Sequence, residues 1–211
     1  DGIRDLVRSR GLGDVYKRQT QITKSPDRLL IAEMTASFLE KSGILQDGVT
    51  IQAGAGGTSL AIGVFINEIL KRKNWKAKFG FGGSTKYMVQ MLEEGQMGYI
   101  LDAQAFDLDA IRSIEENRNH VPYSVFNAYN YHSKGNLTSM MDIMILGATE
   151  VDLNFNGNVV THSDGILLHG IGGWQNCLHA RNVILPLPLF RDRIPVIVDE
   201  VTTLCGPGEL I

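Results

Sequence analysis

Three short glycine-rich stretches carry most of the chemistry this sequence could perform. They are Gly54-Ala55-Gly56-Gly57-Thr58-Ser59, Gly82-Gly83-Ser84-Thr85-Lys86 and Gly170-Ile171-Gly172-Gly173. Each follows an apolar run that reads as a strand and precedes a stretch that reads as a helix. Glycine has no Cβ, so its backbone N–H can point straight at an anion or a developing oxyanion. One such donor is worth roughly 3 to 4 kcal/mol to an acyl-transfer transition state. Taken singly, each stretch is equally a tight turn that lets a helix pack on a sheet. Neither nucleotide fingerprint fits. Ser59 stands where the dinucleotide pattern needs its third glycine, and the second stretch runs Ser-Thr-Lys where a phosphate loop needs Gly-Lys-Ser/Thr. Together the three point to a backbone-built site for an anion and an acyl group, made by Gly54, Gly56, Gly57, Gly82, Gly83, Gly170, Gly172 and Gly173.

The elements that would position these loops follow from periodicity. Ser25-Pro26-Asp27 offers a cap, a proline for the first turn and an acid beside it, which together start a helix. Leu30, Met34 and Phe38 recur at i, i+4 and i+8, and Gly43 supplies the stop. Residues 49–53 read as a buried strand, followed by a helix through Leu60, Val64 and Ile69. Residues 78–81 and 99–103 read as further strands, with helices over 86–94 (closed by Gly95, with Met88, Met91 and Leu92 inward) and 108–117. Strand, turn and helix alternating three times predict an α/β fold with a parallel sheet and flanking helices. Its ligand-binding edge lies at the carboxyl ends of the strands. Residues 122–136 read as a long loop. The remainder is strand-rich, with strands expected at 143–146, 159–160, 166–168, 183–187 and 194–198, and no linker composition separates it from the first half.

Composition narrows the class. Glycine fills 23 of 211 positions, well above the average of about 7%. A net charge of −3 leaves no electrostatic footprint for nucleic acid. Two cysteines without a CxxC pair predict a reducing, cytoplasmic setting rather than a disulfide scaffold. No apolar run approaches the ~20 residues needed to cross a bilayer. Residues 1–19 have neither helical nor strand periodicity and contain Asp14-Val15-Tyr16-Lys17-Arg18-Gln19, which looks like translated adaptor sequence. They are expected to be a leader outside the domain formed by residues 20–211, and that domain is expected to be truncated at its far end.

At this point the residues carry a resemblance. Thr23-Lys24-Ser25-Pro26-Asp27, Gln52-Ala53-Gly54-Ala55-Gly56-Gly57-Thr58-Ser59-Leu60-Ala61, Phe81-Gly82-Gly83-Ser84-Thr85-Lys86-Tyr87-Met88-Val89 and Leu101-Asp102-Ala103-Gln104-Ala105-Phe106-Asp107 occur in this order. Further on come Asn154-Phe155-Asn156-Gly157-Asn158-Val159, Ser163-Asp164-Gly165 and Arg191-Asp192-Arg193-Ile194-Pro195. The series resembles the citrate lyase alpha subunit family over residues 20–211, as the later half of a roughly twice-longer chain. The resemblance implies a CoA-transferase (NagB/RpiA-like) type of α/β domain. It implies exchange of acetyl for citryl on a carrier thioester, with no tightly bound cofactor. The CoA-like prosthetic arm comes from a gamma, acyl-carrier subunit, and a beta subunit cleaves the citryl thioester. Relatives that form a covalent glutamyl thioester place a glutamate near the second glycine loop, where this chain has Lys86. A direct attack by citrate through a mixed anhydride is therefore the expected mechanism. Where relatives carry Gly-Gly-x-x-Asp, Gly172 and Gly173 are followed by Asn176, a neutral amide that cannot act as a base.

Several side chains are candidates for that site. Lys86, and beside it Arg191, are the cations expected to hold citrate carboxylates, against a solvated lysine and an Arg191–Asp192 ion pair. Arg193 flanks the same aspartate. Glu150 and Asp152 read as a surface turn, with a general-base pair as the alternative. The histidines at 120, 132, 162, 169 and 179 lack helical ligand spacing, so no metal is expected. Trp174 is a packing residue or a platform for an adenine ring. Three functions compete: acyl transfer on a carrier protein, a free CoA-transferase or acyl-CoA hydrolase of the same superfamily, and an inert assembly half. The acceptor is left open between citrate and citramalate.

Overall fold

A computed structural model describes residues 20–130, 136–168, 170–191 and 194–208, with the side chains of Gln175 and Asn176 outside it. The expected leader, residues 1–19, lies outside the described residues. Helix α1 (Pro26–Lys41) starts at the predicted proline, with Ser25 in the capping position but making no side-chain cap bond, and ends before Gly43, which takes φ +76°. Strand β1 (Thr50–Ala53) leads into helix α2 (Gly57–Lys73), whose last turn carries Lys71, Arg72 and Lys73 at the negative end of its dipole. Then come β2 (Ala77–Ser84), α3 (Lys86–Glu93), β3 (Met97–Ala105), α4 (Leu108–Glu116) and β4 (His120–Pro122). Gly82, Gly83 and Ser84 are thus the end of a strand and not a loop. β2 slips register between Gly82 and Gly83 as it pairs with β3.

The sheet order is β4-β3-β2-β1-β5-β8, parallel throughout, with β5 at Ile143–Ile145 and β8 at Asn182–Ile184. Parallel crossovers are right-handed in nearly all proteins. Strands β1 to β4 are laid down in one direction, so their connecting helices share one face. The chain then returns past β1 to start β5 and continues outward to β8, so those connections cross the other face. Two cores record this. Ile51, Ile143 and Ile145 point toward the helices with Ile62, Ile66, Val89 and Leu92. Met144, Leu146, Phe79 and Phe81 point the other way, toward Ala128, Val151, Val159 and Trp174.

Helix α1 corrects one expectation. Leu30, Met34 and Phe38 are 56%, 63% and 56% exposed, while Ala32, Ala36 and Leu39 are buried. The small pair lets α1 approach α2 closely, and Arg72 and Lys73 at the end of α2 reach Glu40 on α1. The segment expected as loop over 122–136 contains a short helix, α5 (Val125–Tyr129), which buries Ala128.

The strand-rich half is less regular than its apolar runs suggest. Strands β6 (Glu150–Asp152) and β7 (Gly157–Asn158) pair with each other, and β11 (Ile197–Val198) lies beside β6. β9 (Phe190–Arg191) and β10 (Ile194–Pro195) pair antiparallel. The strand expected at 159–160 is a bend, because Asn158 Oδ1 accepts from the amides of Val160 and Thr161 and turns the chain. That expected at 166–168 is reduced to one bridge, between Leu167 and Thr161. Glu150 and Asp152 are buried strand residues, not a surface turn. Glu150 takes hydrogen bonds from Asn158 Nδ2 (2.6 Å), the Thr202 amide (2.8 Å) and Thr202 Oγ1 (2.9 Å). Asp152 takes them from the Asn154 and Asn156 amides and Asn156 Nδ2. These carboxylates are committed to folding the second half and are not a base pair.

Candidate functional site

An open parallel sheet binds ligands where its strand order reverses, at the carboxyl ends of the strands. Here the reversal falls between β1 and β5. A cleft of about 560 Å³ lies at this point, lined by Gln52, Gly54 and Ala55 after β1, Gly83 of β2, Ala103 and Gln104 of β3, and Leu146 after β5. Phe106, Val125, Tyr129, Gly172, Gly173, Trp174 and Cys177 complete the wall. The structure therefore brings members of all three glycine stretches to one cleft. Gly56, Gly57, Gly82 and Gly170 are not among its lining residues.

The glycines are there for different reasons. Gly82 (φ +97°) and Gly172 (φ +56°) hold left-handed backbone that a side chain would strain. At Gly83 a Cβ would sit 1.8 Å from the Phe106 ring, and at Gly173 2.8 Å from the Tyr129 ring, so both let an aromatic wall close in. Gly57 accepts the Thr23 amide, and a Cβ there would meet that same nitrogen at 2.9 Å. Gly54 and Gly56 differ. A Cβ would make ordinary contact at Gly54 and meet nothing at Gly56. The Gly54 amide is also already spent, donating to the Ile145 carbonyl at 2.9 Å. Gly56 caps α2 without a side-chain bond, and the first turn of that 17-residue helix carries no acid. Its positive end is left uncompensated, the arrangement that suits an anion.

The polar residues of the wall are few. Gln52 is only 7% exposed, and its Oε1 has no hydrogen-bond partner. Burial pushes the Cys177 thiol up to about 12. Burial, with Cys177 and Asp102 nearby, does the same to the Tyr129 hydroxyl, also to about 12. Both stay protonated at neutral pH. Among the described lining residues none is Asp, Glu, Lys, Arg or His.

Beneath the wall lies a buried trio that sequence reasoning missed. Asp102 Oδ2 accepts from Ser84 Oγ at 2.8 Å and lies 3.3 Å from His120 Nε2, while Oδ1 accepts the Gln104 amide at 2.8 Å. Burial alone would raise the Asp102 carboxyl, but these bonds outweigh it and hold the group below the ordinary aspartate value. The trio is not a nucleophilic triad, because the serine donates to the carboxylate rather than to the imidazole. It joins the ends of β2, β3 and β4 and sets the backbone of Gln104 at the cleft.

The two expected citrate cations lie elsewhere. Lys86 lines a separate surface hollow with Gln90, Glu93, Asp109 and Arg112, and its ammonium sits 5.2 Å from the Tyr87 ring centre. The Lys86 amide, not its side chain, is held by Asp107 Oδ2 at 2.8 Å. Arg191 donates to the Ala148 carbonyl at 3.2 Å and is not among the cleft-lining residues. Its expected partner Asp192 lies outside the described residues, as does Arg193. Trp174 is 6% exposed and donates to the Gly147 carbonyl at 2.9 Å. Its ring occupies the space that side chains at Gly157 and Gly206 would fill, which makes it a packing residue. No group of three or more metal-ligating side chains occurs among the described residues, and no described helix is long and apolar enough to cross a membrane.

An all-parallel sheet with a ligand cleft at its reversal defines an α/β domain, and comparison places it more narrowly. The sequence matches the family described as citrate lyase, alpha subunit (CitF), over residues 5–211, and the chain belongs to that family. It is 39% identical to the citrate lyase alpha chain of Haemophilus influenzae over 97% of its own length and 42% of that protein's. Against the Escherichia coli citrate lyase alpha chain the identity is 37%, over 98% and 41%. The chain thus spans about two fifths of the curated relatives it matches. Among solved structures it resembles the alpha subunit of citrate lyase from Streptococcus mutans, determined in complex with citrate (TM-score 0.87, 40% identity, 90% of this chain and 38% of that one). The alpha subunit of a malonate decarboxylase from Acinetobacter baumannii shares the fold at 15% identity and a TM-score of 0.60, over 82% of this chain and 38% of that one.

Proposed function

We propose that the chain carries the acyl-exchange site of citrate lyase and works without an enzyme nucleophile. A citrate carboxylate attacks the carbonyl carbon of an acetyl thioester on the carrier's CoA-like arm. The C–S bond breaks and the thiolate leaves, giving an acetyl–citryl mixed anhydride. The thiolate then attacks the citryl carbonyl, the anhydride C–O bond breaks, and acetate departs from the new citryl thioester. No proton is gained or lost.

The observation that carries this reading is the chemistry of the wall. Its described nucleophile candidates, Cys177 and Tyr129, are both held protonated by burial. The absence of an ionised side chain among the described lining residues supports an attacking atom that belongs to the substrate. The protein's part is orientation and electrostatics. Ala55, one residue before the bare cap of α2, lines the cleft and brings the turn into that helix to its edge. Phe106, Val125 and Leu146 give an apolar wall that suits the thioester end of the arm and keeps water from the anhydride. Lys86 and Arg191 have no assigned part. The expected partners are the beta and gamma subunits of citrate lyase, and the expected setting is the cytoplasm.

Trapping tests the reading. Acetyl-carrier is incubated with the assembled enzyme, with and without citrate, and quenched with hydroxylamine or borohydride. No acyl-enzyme adduct is expected, and Cys177→Ser should transfer acyl groups within about twofold of wild type. An adduct on any carboxylate or on Cys177 would overturn it.

A further inference from the structure

Four buried side-chain atoms among the described residues have no hydrogen-bond partner: Gln52 Oε1, Asn67 Oδ1, Ser113 Oγ and His120 Nδ1. Only one of those residues, Gln52, lines the cleft. An unpaired buried amide oxygen is costly, so its presence at the β1–β5 reversal calls for a donor supplied from outside the chain. The side chain also packs closely. It lies against Gly82, where a Cβ would come 3.0 Å from Gln52 Cγ and 3.6 Å from Nε2, and Gly82 is held at φ +97°. Four residues further along the chain from Gln52 is Gly56, the bare cap of α2.

A primary carboxamide presents one acceptor and one donor side by side. The ligand that matches it offers a donor and an acceptor on neighbouring atoms. An α-hydroxycarboxylate does so: its hydroxyl donates while its carboxylate accepts. A carboxylic acid without the hydroxyl would leave Oε1 unpaired. A secondary amide of the carrier arm points its N–H and C=O in opposite directions and cannot satisfy both. We propose that Gln52 is the specificity-determining residue for the acceptor acid. Its Oε1 takes the hydroxyl proton, its Nε2 donates to the adjacent carboxylate, and acids bearing a hydroxyl α to a carboxylate are selected over those lacking it. The inference rests on the citrate reading of this cleft and adds the group that reads the hydroxyl.

The test compares citrate with propane-1,2,3-tricarboxylate, the same skeleton without the hydroxyl, by calorimetric titration of the 211-residue chain and two variants. Wild type should bind citrate at least about tenfold more tightly, since a hydrogen bond to a buried polar group is worth that ratio. Gln52→Met should lose that margin, bringing citrate to the level of the tricarboxylate, with both acids bound more weakly than by wild type because the Nε2 bond to the shared carboxylate goes as well. Its thermal midpoint should be unchanged or higher, because an orphaned polar group is removed. Gln52→Glu, which keeps the shape but adds negative charge, should weaken both acids. Equal wild-type affinities, or a citrate preference that survives in Gln52→Met, would overturn the role of Gln52 and leave the citrate reading standing. Failure of wild type to bind either acid would overturn both.

Discussion

A glycine in a sequence reports that a side chain is missing, and the structure separates the causes. Gly82 and Gly172 answer to backbone conformation, while Gly57, Gly83 and Gly173 answer to close neighbours. Gly54, Gly56 and Gly170 answer to neither, and of these Gly54 lines the cleft. The same distinction applies to acids. Glu150, the buried carboxylate of β6, is opposed by burial, yet its bonds from Asn158 and Thr202 outweigh that and hold it below the ordinary value of 4.5. Its folded pKa is depressed, so the stability it contributes is present above the unfolded value and is lost as pH falls through the folded one. The urea midpoint should therefore fall as pH is taken below about 4.5. Glu150→Gln should flatten that dependence and cost about 1–3 kcal/mol at pH 7, since it disturbs a buried acceptor of three bonds. An unchanged acid slope in the variant would show that Glu150 does not govern it.

Among the elements, α1 gives the sharpest contrast between pattern and packing. Its large apolar residues Leu30, Met34 and Phe38 face outward, and Ala32, Ala36 and Leu39 face the core. Leu39→Ala should cost about 2–5 kcal/mol by opening a cavity, whereas Met34→Ala should change stability by no more than about 0.5 kcal/mol. Both are read from denaturant midpoints of the chain. Equal losses would mean that the outward stripe is packed. The stripe misleads because period alone does not say which of two apolar faces a helix buries, and here small residues permit the closer approach.

The alternating strands and helices of residues 50–116 were legible, because the strands hold apolar runs, glycines mark several of the ends, and each helix has its own period. The second half was not. Its strands are two or three residues long and are held by Asn158, Asp152 and Glu150 through side-chain-to-backbone bonds that leave little periodic trace. The site was half legible. Three glycine stretches predicted a shared cleft, but the choice of Lys86 rested on its position after a glycine loop. The extension of β2 through Ser84 and the anchoring of the Lys86 amide by Asp107 carry that helix start away from the cleft. The signal for Gln52 was present: a single amide inside the apolar run Val49-Thr50-Ile51-Gln52-Ala53, directly ahead of a glycine turn.

At the scale of the whole molecule, one reversal of strand order accounts for the position of the cleft, the division of the core between two sheet faces, and the convergence of distant glycines. The order β4-β3-β2-β1 commits one face to helices, and the step back to β5 commits the other to the strand-rich half. The wall that results carries no charged side chain among its described residues, which supports the proposal that the reacting carboxylate belongs to the substrate. Oxygen transfer tests that claim most directly. In a single turnover of acetyl-carrier with citrate labelled by ¹⁸O in all its carboxylates, the anhydride route delivers one citrate oxygen to the departing acetate. Acetate carrying one ¹⁸O from the first turnover is the predicted result. Unlabelled acetate from that turnover, its new oxygen drawn from a protein carboxylate, would contradict the account.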